Sequence, residues 1–278
     1  MHKSTFGANF NFITHTMGYT LGAKVLTNPV KVYYIYYGNV SDSQKQAIET
    51  FTNGFDSTPL WGLTKSYYYQ ESNTTDKIYV DGGLAVGKSV TDNYSVGNII
   101  ADTAIPTIVQ AQIDSGALPE DTDGIYFVVS SNDVAEFMRF DIQGGQFCQN
   151  YCGYHASWPL TSGNRIHYGF AGLIPPACYD ACAPQANHKV SPNGDVALDS
   201  LFSVIAHELT EAVTDPNADY LRAWQAVDNL MENADLCSYK FGETQKDDTG
   251  ATYNLEFGGH KYLIQQNWDL VKQTCASS

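Results

Sequence analysis

The sequence predicts an α/β (α+β) fold, a single domain in which a mixed β-sheet is flanked by helices and disulfides staple the loops. Segments 31–37 and 124–130 are rich in β-branched and aromatic residues, which is typical of buried strands. A helical pattern follows the first strand, as in the first half of a β-α-β unit. No repeat, linker or charge boundary divides the 278 residues, so we expect one domain over 1–278.

Turn residues divide the rest of the chain into short segments with strand-like or helix-like patterns. Ser41 and Gln44 have the spacing of a capping box, which predicts a helix from there to Asn53-Gly54. Asp195 or Asp199 would cap the long helix near 203–216. The other predicted elements are an irregular segment at 1–28, strands at 61–70, 77–87 and 164–173, a helix at 98–115 that Pro106 interrupts or delays, and a hairpin of 251–257 with 260–266.

Composition and charge restrict the class of protein. The net charge of −15 argues against nucleic acid or an anionic membrane as partner, because both attract basic surfaces. Only 16% of residues are charged, below the roughly 25% of typical soluble domains, which favours a secreted protein. No apolar run is long enough for a membrane span. Residues 1–20 lack the apolar core of a signal peptide, so we expect that a signal was removed.

The six cysteines favour disulfides over a zinc site. Four of them form two close pairs with three residues between the partners, whereas zinc-binding cysteines usually have two. Disulfides also agree with secretion. The expected bonds are Cys148–Cys152, Cys178–Cys182 and Cys237–Cys275.

The segment 203–216 carries the clearest chemical motif. On a helix, His207 and Glu211 lie four residues apart on one face and can reach a single metal ion. With Glu208 they form His-Glu-x-x-Glu, a variant of the His-Glu-x-x-His zinc signature in which the middle glutamate activates a water molecule. The alternative is a core histidine beside two glutamates on a solvated helix edge.

A third metal ligand is expected from a later segment. Glu232 lies 21 positions beyond Glu211, a gap comparable to that before the third ligand of some zinc hydrolases, and Asp235 would support a ligand from the second shell. Asp215, His260 and His155 are rival third ligands. Asp215 is the weakest, because eight helical residues from His207 correspond to about 12 Å of rise.

Several blocks, in this order, resemble the EXORDIUM-like, or phosphate-induced protein, family of extracellular plant proteins. The likeness covers roughly residues 15–275 and includes all six cysteines. The blocks are 36–44, 93–97, 147–155, 178–182, 192–196, 206–209, 234–237 and 268–275.

The resemblance implies an extracellular or cell-wall protein of a family linked to growth control, in which some members lack the His-Glu-x-x-Glu residues. Two differences from the plant pattern indicate that the source is not a plant. Asp215 stands where plant members tend to have asparagine, and 241–248 replaces a glycine-rich run.

Two functional classes follow. The first is a secreted zinc metallopeptidase of peptide or protein substrates, with His207, Glu211 and Glu232 as ligands and Glu208 and His260 as catalytic residues, His260 stabilising the oxyanion. The second is a non-catalytic extracellular signalling or cell-wall carbohydrate-binding protein with a structural or vestigial metal site. One Zn²⁺ per chain is expected; Ca²⁺ also suits carboxylates, although a histidine ligand favours zinc.

Overall fold

A mixed five-stranded sheet lies at the centre of the computed structural model, which describes residues 15–138 and 145–278. Its strands, from edge to edge, are β5 (Leu84–Asp92), β2 (Val30–Tyr37), β7 (Ile125–Ser130), β10 (Arg165–Gly172) and β9 (Gly153–Pro159). Neighbouring strands are parallel except β9, which runs antiparallel to β10 and forms one edge. The predicted strands at 31–37, 124–130 and 164–173 are therefore confirmed.

Helices and small two-stranded sheets surround this sheet. The helices are α1 (Asp42–Phe55), α2 (Pro59–Gly62), α3 (Ala104–Asp114), α4 (Tyr179–Cys182) and α5 (Val196–Thr214), with 3₁₀ turns at Leu63–Ser66, Pro176–Cys178, Gln185–Asn187 and Asp235–Cys237. The remaining strands are β1 (Met17–Tyr19), β3 (Tyr68–Tyr69), β4 (Ile78–Tyr79), β6 (Ile99–Ala101), β8 (Ala135–Phe137), β11 (Trp224–Ala226), β12 (Gln245–Lys246), β13 (Thr252–Tyr253), β14 (Leu255–Phe257), β15 (His260–Tyr262), β16 (Asn267–Asp269) and β17 (Thr274–Ala276).

Both faces of the sheet are covered, as two neighbouring tyrosines of β2 show. The Tyr34 hydroxyl lies 2.6 Å from that of Thr52 on α1, whereas the Tyr33 hydroxyl donates to Asp121, in the segment after α3. Successive side chains of a strand point to opposite faces, so α1 and the segment after α3 cover different sides. The mixed sheet flanked by helices matches the predicted fold class.

Helix α5 is the most deeply buried helix described. Asp195 caps it by accepting from the Leu198 N–H at 3.1 Å, and residues 197–214 are all buried. It packs against β9 and β10, and Phe202 packs on the Phe51 ring of α1. A helix that exposes no face to solvent lies in a core, which agrees with its mainly apolar sequence.

The local predictions differ from the structure in several places. Residues 61–66 are helical, because Thr58 caps a turn that begins with Pro59. The helix expected at 98–115 begins at Ala104, since 99–101 pairs with β8 as a strand. Strand β9 was not predicted, because its sequence directly follows Cys152 and shows no clear alternation of polar and apolar residues. The predicted hairpin is present as β14 and β15.

The segment 1–28, which was expected to be irregular, contains a short strand. Residues 1–14 of the segment expected to be irregular lie outside the described residues. Residues 17–19 form β1 and pair with β11, which follows α5.

Two disulfides join the segment 148–152 to the segment 178–182. The expected Cys148–Cys152 and Cys178–Cys182 bonds are therefore wrong. The bonds are Cys148–Cys178 and Cys152–Cys182, and Cys237–Cys275 is paired as expected. Cys178 and Cys182 lie at the two ends of a helical turn. Cβ atoms four helical residues apart are about 5–6 Å from each other, farther than a disulfide spans. Across the two segments, the paired Cα atoms are 5.4 and 5.5 Å apart.

Replacing Cys152 and Cys182 together by serine is expected to lower the free energy of unfolding by about 2–4 kcal/mol, because the disulfide between them closes a loop across 30 positions of sequence. Denaturant unfolding measures this loss. A thiol assay of the unfolded protein should find no free thiol in this variant. Two free thiols, as pairing within each segment would leave, would contradict the pairing.

Glu136, in β8, is a carboxyl group buried among tyrosines. The Tyr151 hydroxyl and the Tyr154 hydroxyl both donate to it. Burial raises the pKa of Glu136 to about 7, despite the opposing effect of these two hydrogen bonds. The folded protein therefore holds a proton on Glu136 at pH values where the unfolded chain has lost it.

Replacement of Glu136 by glutamine should remove a pH-dependent loss of stability. Between the unfolded pKa, near 4.5, and the folded value, about 7, the native state binds more protons, so wild-type stability falls as pH rises. The free energy of unfolding of Glu136→Gln minus that of wild type should therefore grow by up to about 3 kcal/mol from pH 4 to pH 8. A difference that stays constant with pH would show that Glu136 titrates normally.

Candidate metal centre

Helix α5 presents the three residues of the predicted motif inside the protein. His207, Glu208 and Glu211 are 3, 4 and 3% exposed. The Nε2 atom of His207 lies 3.1 Å from Oε2 of Glu211, as expected for two residues one helical turn apart. The alternative of glutamates on a solvated helix edge therefore does not hold.

Asp235 completes a group of three with these residues. Its Oδ1 atom lies 3.5 Å from His207 Nε2, and its backbone N–H donates to Glu211 Oε1 at 3.0 Å. One ligand atom from each of His207, Glu211 and Asp235 lies within 4.8 Å of the others. Asp235, which we expected to support a ligand, thus lies at ligand distance itself.

Glu232 belongs to the other side of the cluster. Its Oε1 atom is 3.4 Å from Nε2 of His155, and its backbone N–H donates to Asp235 at 3.4 Å. It is not among the three residues grouped around His207. The ligand role of Glu232 stays a prediction.

His155 comes from the edge strand β9, and its side chain is only 3% exposed. Its Nδ1 atom lies 3.3 Å from Glu208 and 3.7 Å from Glu211, which gives a second group of three, His155, Glu208 and Glu211. Its Nε2 atom lies 3.2 Å from the Asp215 carbonyl oxygen. The sequence offered His155 only as a rival ligand, because β9 was not recognised.

A glycine at the start of β9 permits this approach of strand and helix. A Cβ atom on Gly153 would lie 2.6 Å from Val204 Cγ1 and 3.1 Å from Glu208 Oε1. The absence of a side chain here lets β9 bring His155 against α5.

Asp215 and His260, the other two candidates for the third metal ligand, have other surroundings. The Asp215 carboxylate accepts from the Ala223 N–H at 2.6 Å, which ties down the loop after α5. His260 lies in β15, next to Lys261, whose carbonyl accepts from Asn193 at the start of α5. The helix start is more than about 12 Å of rise from His207, so His260 is not brought to the cluster.

The cluster contains more negative charge than its histidines can balance. Among the residues that the structure describes, every ion pair of Glu208, Glu211, Glu232 and Asp235 is to His155 or His207. Buried charges without partners are costly, so an excess of carboxylates indicates a place for a cation.

The pKa values of both histidines and of Glu211 are shifted by burial and by the neighbouring carboxylates. Burial lowers the pKa of both histidines, but for His207 the charges of Glu211 and Glu208, and for His155 that of Glu232, outweigh it and raise the pKa well above the usual range. Burial raises the pKa of Glu211 to about 8.

Gln265, which the sequence gave no reason to single out, holds the far side of the His207 ring. Its side-chain nitrogen lies 2.9 Å from His207 Nδ1 and donates to the Ala234 carbonyl, also at 2.9 Å. Its Oε1 atom is buried without a hydrogen-bond partner in the described residues. Metal-binding histidines usually donate the hydrogen of their second ring nitrogen to an acceptor.

These donors fit zinc better than calcium. The set includes an imidazole nitrogen and has the number of protein ligands, three, that catalytic zinc sites have, whereas calcium takes six to eight oxygen ligands.

In the described residues, no helix has both the length and the apolar character that crossing a bilayer requires.

Comparisons with known proteins give the family. Residues 17–278 match the conserved region of phosphate-induced protein 1. EXORDIUM-like 3 of Arabidopsis thaliana is 29% identical, over 90% of this chain and 80% of that protein. EXORDIUM-like 5 and EXORDIUM-like 4 of the same plant are each 28% identical, over 93% and 95% of this chain and 76% and 94% of theirs. No solved structure matches the chain significantly. The chain therefore belongs to the phosphate-induced protein 1 family, as the sequence blocks indicated.

Proposed function

We propose that this protein is a secreted zinc-dependent hydrolase that acts as a metallopeptidase on peptide or protein substrates. The observation that carries the proposal is the buried group of His207, Glu211 and Asp235 with Glu208 beside it. The three disulfides and the similarity to EXORDIUM-like proteins support an extracellular location.

His207, Glu211 and Asp235 would hold one zinc ion. Zinc supplies a Lewis acid that polarises a carbonyl oxygen and makes water more acidic. Two carboxylates beside one imidazole leave the ion less positive than the common ligand sets do. Activity is therefore expected to be modest or to need a higher pH.

Glu208 would take the proton from the attacking water and pass it to the leaving amine. The neighbouring His155 keeps the Glu208 carboxylate in place through the 3.3 Å contact of Nδ1. The oxyanion role expected of His260 gains no support, because His260 lies near the other end of α5.

A structural metal site is the second candidate. The ligand side chains of His207 and Glu211 are only 2 and 4% exposed, and structural zinc sites are closed to solvent. In that case the chain would be an extracellular signalling or carbohydrate-binding protein, and the metal would stabilise the fold.

Purified wild-type protein is expected to contain about one zinc per chain, and His207→Ala should contain none, because the imidazole is the neutral donor of the set. Elemental analysis by plasma mass spectrometry measures both. His260→Ala is the matched control and should retain zinc. A wild-type protein that stays metal-free after zinc addition would refute the hydrolase proposal.

Glu208→Gln is expected to lower peptide hydrolysis by about 10²–10⁴-fold while zinc content stays unchanged, because glutamine cannot accept the proton from water. Peptidase assays of zinc-loaded proteins measure this, with Glu256→Gln, on the exposed β14 position, as control. If zinc is bound but wild type hydrolyses no peptide, and zinc removal only lowers the melting temperature, the site is structural.

A further inference from the structure

We propose that excess zinc inhibits the hydrolase by occupying a second site, formed by His155, Glu208 and Glu211. The inference rests on the proposed function and adds the regulation of that site. The ligand atoms of these three residues, the His155 group, all lie within 4.8 Å of one another. The same holds for His207, Glu211 and Asp235, the His207 group. Only the His155 group contains Glu208, the residue that has to accept the proton from water.

The distances within the His155 group suit a zinc ion. Nδ1 of His155 lies 3.3 Å from Oε2 of Glu208 and 3.7 Å from Oε2 of Glu211. Ligand atoms about 2.0–2.2 Å from a tetrahedral zinc ion are roughly 3.3–3.6 Å apart. One ion can therefore reach all three side chains after small shifts.

The other side of the His155 ring supports coordination through Nδ1. Its Nε2 atom lies 3.2 Å from the Asp215 carbonyl oxygen and 3.4 Å from Oε1 of Glu232. Glu232 is 8% exposed, and its Oε1 atom accepts no hydrogen bond in the described residues. Metal-binding histidines usually donate from the second nitrogen to a carboxylate or a carbonyl. Both acceptors are already in place, so no side chain has to turn when the ion binds.

The His207 group should fill first, because its distances from His207 Nε2, 3.1 and 3.5 Å, are the shorter ones. Oε2 of Glu211 belongs to both groups and would bridge the two ions, which lie about 3.5–4 Å apart in two-metal sites. Repulsion between adjacent cations weakens binding of the second ion. The buried carboxylates of Glu208 and Glu232 oppose that repulsion, since His155 alone faces them once the first ion is bound.

The second ion inhibits because it occupies the lone pairs of Glu208. A carboxylate bound to zinc cannot take the proton from the attacking water. Hydrolysis should therefore fall about 10²–10⁴-fold as the second site fills, as expected for loss of a general base.

The test counts bound zinc after dialysis against buffers of increasing free zinc concentration, with peptide hydrolysis measured in the same samples. Wild type should bind one zinc ion and then a second, more weakly, and hydrolysis should rise with the first and fall with the second. His155→Leu should bind only one. His260→Leu, the matched control in β15, should bind two.

The outcomes separate this inference from the proposed function. One zinc ion in wild type at saturation, two in His155→Leu, or a second ion that leaves hydrolysis unchanged or raises it would each overturn the inhibitory site alone. The wild-type count decides even if His155→Leu does not fold. Absence of zinc from wild type, or absence of hydrolysis at one bound zinc, would overturn the proposed function and the inhibition together.

Discussion

The structure is constrained by the free-energy cost of burying charged carboxylates. Glu208, Glu211 and Glu232 are all at most 8% exposed, yet their only ion-pair partners in the described chain are histidines. Such groups would destabilise an ordinary core. Their presence on and beside the C-terminal half of α5 is the reason for proposing a cation there.

The rest of the fold brings separate segments to that point. Helix α5 supplies three side chains, while the edge strand β9 supplies His155 and a 3₁₀ turn supplies Asp235. These contributions need three different kinds of support: a fully packed helix, a glycine that lets a strand approach it, and a disulfide at the turn. The motif alone therefore defines half of the centre, and tertiary packing defines the other half.

This division explains what the sequence could predict. The strands at 30–37 and 125–130 and the capped helix α1 have strong local signals, and the His207–Glu211 pair follows from helical periodicity. The choice between Glu232 and Asp235 depends on how a short turn is oriented, which composition does not encode. His155 and Gln265 reach the cluster from strands and loops 53 and 58 positions away from their partners. The cysteine pairing was mistaken because closeness in sequence was taken for closeness in space.

The position of the disulfides ties the centre to the redox state of its surroundings. Cys152 immediately precedes β9 and lies three residues before His155, while Cys237 ends the turn that begins with Asp235. In a reducing compartment, the segments that carry these two side chains would lose their covalent anchors. Assembly of the candidate metal centre is thereby linked to oxidative folding of the chain.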